Sequence, residues 1–286
     1  MAHSNARISS PPGRPIFHSL RAIFRAIVTT WLLLASLPGT PRTIFAQAKD
    51  ELKTDADKEA LNLALCEAIQ KNDVPTVQAL IKNGADLKWA NPKNNRKTPL
   101  VIAIMYTQAK PQGKLEMVKL LLDSGADVHF ADGSGKYPIL YSVFSTVEIA
   151  QLIIDKGGNK EINIYGSSTE KQPYGIGKTA LTCVCTYSNV TSDMIPILLK
   201  AGADPNQRSH NKNGLPVLIC AIRNDNPRNF DKLKAVQCLI DHGADVNLKG
   251  RPKGDLKEEE ISALGEARKK GYQDIIEILE KAGAKE

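Results

Sequence analysis

"LIDHGADV", residues 239–246, is the stretch that decides how this chain folds. It carries an apolar run into a glycine, and it has counterparts along the whole sequence. "IKNGADL" stands at 81–87, "LLDSGADV" at 121–128, "IIDKGGN" at 153–159, "LLKAGADP" at 198–205 and "LEKAGA" at 279–284. The shared glycines are Gly84, Gly125, Gly157, Gly202, Gly243 and Gly283, about 32 to 45 residues apart. Self-similarity at such a period signals a stack of supersecondary units.

Outward from Gly243 the sequence reads as a helix pair. Val217 to Ile222 is a continuous apolar stretch suited to a first helix. Leu233, Val236, Leu239 and Ile240 recur at steps of three and four, the face of a second helix. Gly243 ends that helix, because a left-handed residue past a helix is least costly as glycine. The last unit repeats the pattern, with Ile275, Ile276, Ile278 and Leu279 apolar and the charges opposite. A single pair cannot bury its apolar face. Stacked pairs can, and each buried Leu or Ile contributes roughly 1.5–3 kcal/mol. The expected fold is an all-α repeat solenoid of about six helix-turn-helix units.

The unit openings add "KTPL" at 97–100, "GKYPI" at 135–139, "GKTAL" at 177–181 and "GLPV" at 214–217. Together with the glycine endings they resemble the ankyrin repeat, which opens Gly-x-Thr-Pro-Leu and closes Gly-Ala-Asp-Val-Asn. The resemblance places units at about 57–91, 92–131, 132–163, 174–208, 211–249 and 258–286, and implies short β-hairpin-like turns between them. The family's histidine after Thr-Pro-Leu is missing; Cys66, Val101, Leu140, Thr182, Leu218 and Gly265 stand there instead. Pro, Gly and polar residues mark insertions at 107–114, 165–175 and 224–232 as loops.

The chain has 286 residues and a formal charge of +7, which invites a nucleic-acid reading. Arg7, Arg14, Arg21, Arg25 and Arg42 all lie in residues 1–48, which hold no acidic side chain. Removing those five from 38 basic side chains leaves 33 against 31 acidic, about +2. That balance lacks the footprint of a phosphate binder, and no nucleic-acid partner is expected.

Residues 1–48 read as an export signal. Arg21 and Arg25 precede the apolar run Ala26–Leu37, whose 12 residues fall short of the roughly 20 that span a bilayer. Pro38 and Gly39 break it, and Ala46 and Ala48 form a small-residue cleavage pattern. The expected organisation is a cleavable signal at 1–48, a linker at 49–56 and a repeat domain at 57–286. Cleavage after Ala48 gives an exported chain, periplasmic or secreted and of bacterial type, that meets the membrane only through its signal. The competing reading is an uncleaved signal anchor that tethers it.

Gly177-Lys178-Thr179 matches the tail of a phosphate-binding loop, the centre of a nucleotide-binding enzyme. Such a loop needs a glycine at the position held by Gln172, and Pro173 beside it has no amide hydrogen. Its preceding strand is missing too, since "INIY" at 162–165 ends too early. Cys183 and Cys185 would point about 200° apart on a helix and cannot share a metal. The five cysteines read as buried small hydrophobes. A Cys220–Cys238 disulfide is the competing reading in an oxidising compartment. Asp86, Asp127, Asp204 and Asp245 read as turn formers. No enzyme activity, cofactor or metal site is expected.

The resemblance implies a concave face built from turn tips and first-helix ends, used to bind protein. The matching positions are Gln70 and Lys71, Met105 and Tyr106, Phe144 and Ser145, Thr186 and Tyr187, Ile222 and Arg223, and Lys269 and Lys270. Lys97, Lys136 and Lys178 line the adjacent turns. The middle of this row is aromatic and apolar, and both ends are basic. The expectation is a monomeric, non-catalytic module that holds a partner protein. Its finer form is a dedicated inhibitor or protector of a periplasmic enzyme.

Overall fold

A computed structural model describes residues 54–106, 110–165, 178–209, 214–226, 230–252 and 255–285. The signal segment, the linker up to residue 53, residues 166–175 of one insertion and Gly177 lie outside that set. The chain divides into Met1–Thr54 and Asp55–Glu286, and every described helix falls in the second unit.

Twelve α-helices form six pairs among the described residues. They are α1 Asp55–Gln70 with α2 Val74–Lys82, α3 Pro99–Tyr106 with α4 Pro111–Asp123, and α5 Pro138–Ser142 with α6 Val147–Asp155. Then come α7 Ala180–Thr186 with α8 Met194–Lys200, α9 Val217–Arg223 with α10 Lys232–Asp241, and α11 Ala263–Lys270 with α12 Gln273–Lys281. Each first helix packs on the next first helix, and the second helices pack on one another from α4 onward. The result is two helical layers around one continuous core.

The bodies of α3, α7 and α9 are apolar all round because they are enclosed all round. Every residue of Pro99–Ile104, Ala180–Cys185 and Val217–Ile222 is buried. Second helices are amphipathic: α12 buries Ile275 and Leu279 and leaves its charges outside. Leu233, read from its spacing as part of the apolar face of α10, is instead 40% exposed. The 107–114 insertion, read as loop, gives its second half to α4, which starts at Pro111. Proline suits a first helical turn, whose amide hydrogens have no intrahelical partner.

The repeated Leu-x-x-x-Gly-Ala ending has a direct cause. All six marked glycines adopt φ between +86° and +97°. The chain thereby turns back, and the N–H of Ala85, Ala126, Ala203, Ala244 and Ala284 donates to the carbonyl of Leu80, Leu121, Leu198, Leu239 and Leu279. Those leucines are core residues, so one motif ends the helix and anchors it. The aspartate that follows closes an Asx turn. Asp86, Asp127, Asp204 and Asp245 each accept, at 2.8 Å, the N–H two residues on.

Neighbouring units are tied by asparagines. Asn206 Nδ2 donates to Gly243 O at 3.1 Å, and its Oδ1 accepts Asp245 N at 2.7 Å. Asn163 does the same to Gly202 and Asp204, and Asn247 to Gly283 and Lys285. Lys88 and His129 occupy this position in the first two units; Lys88 pairs with Asp127 at 3.8 Å, and the His129 ring hydrogen-bonds Glu161 at 2.9 Å. The hairpin-like turns reduce to single antiparallel bridges, Asn91 with Lys97, Arg208 with Pro216 and Gly250 with Ile261.

Candidate functional site

The "GKT" stretch opens a first helix. Thr179 is the N-cap of α7, where its hydroxyl accepts Thr182 N and its side chain is buried. Thr182, standing where the family has histidine, returns a bond from Oγ1 to Thr179 O at 3.0 Å. The turn is thus locked by two threonines. No described strand precedes the helix, and Gly177 lies outside the described residues.

Lys178 and Tyr187 leave α7 at opposite ends and meet over one side of it. The Lys178 ammonium sits 4.1 Å from the centre of the Tyr187 ring. Across the unit boundary Phe144, just past α5, meets Tyr187 edge-on, with centroids 5.4 Å apart and planes at 61°. An edge-on pair contributes about 0.5–1.5 kcal/mol beyond area burial. Phe144 remains 42% exposed, as do Tyr106 at 42% and Met105 at 37% in the preceding unit. These exposed side chains share the first-helix ends of α3, α5 and α7. Lys114 Nζ donates to Ile104 O at 3.2 Å and so covers the carbonyl end of α3 beside Met105 and Tyr106.

The electrostatics of this strip are one-sided. Burial lowers the Lys178 ammonium below its ordinary value and raises the Tyr187 hydroxyl above its own. Among the described residues no carboxylate lies within ion-pair distance of Lys178 or Lys136. Asp132, in the same turn as Lys136, is turned inward. It accepts the amides of Ser134 at 2.8 Å and Lys136 at 3.1 Å, and the Tyr141 hydroxyl donates to it.

Several expected site residues belong elsewhere. Ile222 is fully buried, because all of Val217–Ile222 is wedged among α7, α11 and α10. Lys97 is buried too, because its backbone is folded into the Asn91 bridge by Asn95 and Arg96, both at positive φ. Arg223 is exposed but leans on the buried carboxylate of Glu266 at 3.7 Å. At the C-terminal end of the row Arg223 and Lys270 are paired within the chain, while Lys269 is exposed. Asp225 there accepts Lys270 at 2.9 Å, Lys232 at 3.3 Å and the Tyr272 hydroxyl at 3.2 Å. The spacing of Asp225 from Tyr272 and Lys270 gave no signal in the sequence.

All five cysteines are free thiols. The Cys220–Cys238 disulfide is not formed: Cys220 Sγ faces Leu215 O at 3.7 Å and Cys238 Sγ faces His242 Nδ1 at 3.8 Å. Burial raises Cys66 and Cys183 to about 12 and Cys185 well above its ordinary value. Cys238, expected at an inward position, is only half-buried.

A two-layer stack of helix pairs with an exposed strip along its first-helix ends defines a helical-repeat scaffold. The family model described as Ankyrin repeats (3 copies) matches residues 32–132, 107–209 and 145–250. The chain belongs to the ankyrin-repeat family. It is 24% identical over 217 residues to the ankyrin repeat protein YahD of Escherichia coli (strain K12), covering 76% of this chain and 94% of YahD. It is 33% identical over 85 residues to the human (Homo sapiens) Arf-GAP with coiled-coil, ANK repeat and PH domain-containing protein 2. That match spans 29% of this chain and only 10% of the human protein. A chain in the structure of the Bd0816 Predatory Endopeptidase from Bdellovibrio bacteriovorus in complex with immunity protein Bd3460 superposes with a TM-score of 0.55 at 23% identity. The superposition covers 76% of this chain and 97% of that one.

Proposed function

We propose that this protein is a non-catalytic docking module that holds a partner protein on the concave face of its ankyrin stack, after export from the cytoplasm. The observation that carries the reading is the strip of Met105, Tyr106, Phe144 and Tyr187, partly or fully exposed on successive units and edged by Lys136 and Lys178. Exposed apolar side chains rimmed by polar ones mark interaction surfaces, and aromatic residues are enriched at binding hot spots. The basic leader with its short apolar run and the Ala46-x-Ala48 pattern support export to the periplasm or beyond, the chain acting as a monomer. A more specific version, a dedicated inhibitor or protector of one exported enzyme, draws support from the immunity-protein complex among the structural neighbours.

The test is crosslinked capture from a periplasmic extract with the wild-type chain and with a Phe144→Ala, Tyr187→Ala variant. A specific partner is expected with the first and its loss with the second. Equal recovery by both would remove the strip from the account. N-terminal sequencing of the protein recovered from cells tests the leader, and a mature start at Lys49 is expected.

A further inference from the structure

The strip combines three features that together restrict what can sit on it. Phe144 and Tyr187 present an edge-on aromatic pair across a unit boundary. Lys178 is held against that pair by its ring contact, so the charge is positioned rather than swinging in solvent. Lys136 occupies the matching turn one unit earlier, giving two ammonium groups at the repeat spacing. Neither has a carboxylate partner among the described residues. The acid nearest in sequence to Lys136, Asp132, is buried and committed to the amides of Ser134 and Lys136 and the hydroxyl of Tyr141.

A half-buried ammonium without a counter-ion is poorly solvated, and an incoming carboxylate relieves that through a charge-assisted hydrogen bond. The surroundings are aromatic, which favours an apolar side chain beside the acid. At the other end of the array Arg223, Lys232 and Lys270 are paired within the chain, by Glu266 and Asp225. Lysines such as Lys71 and Lys269 are exposed to solvent, whereas Lys178 is half-buried and held against an aromatic ring.

We infer that the strip over the third and fourth units seats an acidic segment of the partner polypeptide, a carboxylate on Lys178 and an apolar side chain against Phe144 and Tyr187. This rests on the strip being the docking face. An acidic segment supplies both groups from one extended chain, whereas a polyanion without an apolar part, such as inorganic polyphosphate, would use Lys178 and leave the rings uncovered.

The experiment selects short random peptides displayed on phage against the immobilised full chain, with Lys178→Met, Lys178→Arg and Phe144→Ala/Tyr187→Ala variants in parallel. Enrichment of peptides carrying Asp or Glu next to an apolar residue is expected. Binding should weaken about tenfold with Lys178→Met and largely persist with Lys178→Arg, the effect of one charge-assisted hydrogen bond. Binders that are neutral or basic, yet still lost with Phe144→Ala/Tyr187→Ala, would overturn the acidic partner and leave the docking face standing. Acidic binders that survive loss of both rings and are displaced by inorganic polyphosphate would make this a polyanion site. No enrichment with any chain would overturn both the segment and the face.

Discussion

Lys178 is held where charge is disfavoured, and its stability effect follows from that. Burial lowers its ionisation below the ordinary 10.5, so the folded chain binds fewer protons than the unfolded chain in the interval between the two values. The destabilisation is therefore full while Lys178 is charged and fades as pH rises through the lowered value toward 10.5. The contact with the Tyr187 ring acts in the opposite direction, by about 0.5–1 kcal/mol at exposed sites. Lys178→Met keeps the stem and removes the charge. Its melting temperature should stay within about 3 °C of wild type near neutral pH. Urea melts across the alkaline range should show wild type gaining on the variant as pH rises; a wild type that loses ground would contradict the burial argument. The thiols give a second residue-scale prediction. Cys238, half-buried, should react with iodoacetamide in the native protein well before the other four, and all five should react after unfolding. Only three reactive thiols after unfolding would restore the Cys220–Cys238 bridge.

The ankyrin ending is legible as sequence because each of its residues performs one local task. Gly243 supplies the positive φ, Ala244 the returning N–H, Asp245 the Asx turn. What spacing could not show is what the neighbouring unit does. Ile222 and Arg223 are consecutive at one helix end, yet one is enclosed by α7 and α11 and the other reaches Glu266 of the next unit. Lys97 looked like Lys136 and Lys178 in sequence. Its own turn carries two positive-φ residues that fold it inward. Cross-unit asparagines belong to this element scale too. Asn206→Ala removes two bonds, 3.1 Å and 2.7 Å long, between adjacent endings. It should destabilise by about 1–2 kcal/mol, each bond contributing about 1 kcal/mol net. In a domain of this size that lowers the melting temperature by about 3–6 °C, readable by circular dichroism. An unchanged melt would mean that water replaces both bonds.

At the scale of the whole array, one face is positioned by six units that each specify little. The fold could be read because its glycines recur at the right period. The strip was only half legible: Met105, Tyr106, Phe144, Tyr187, Lys136 and Lys178 lie where the repeat register put them, but the convergence of Lys178 on Tyr187 depends on side-chain reach along α7. The Phe144→Ala, Tyr187→Ala variant should lose partner capture while its melt falls by less than about 10 °C, since the pair contributes about 0.5–1.5 kcal/mol and the apolar area the two half-covered rings bury adds to that. A large fall would make these rings core. The most direct measurement places a photocrosslinking amino acid either at Phe144 or at Gln237, an exposed residue on the second-helix layer. Partner crosslinks are expected from position 144 and few from 237. Crosslinks of equal yield from both, or from 237 alone, would contradict a docking face on the first-helix ends.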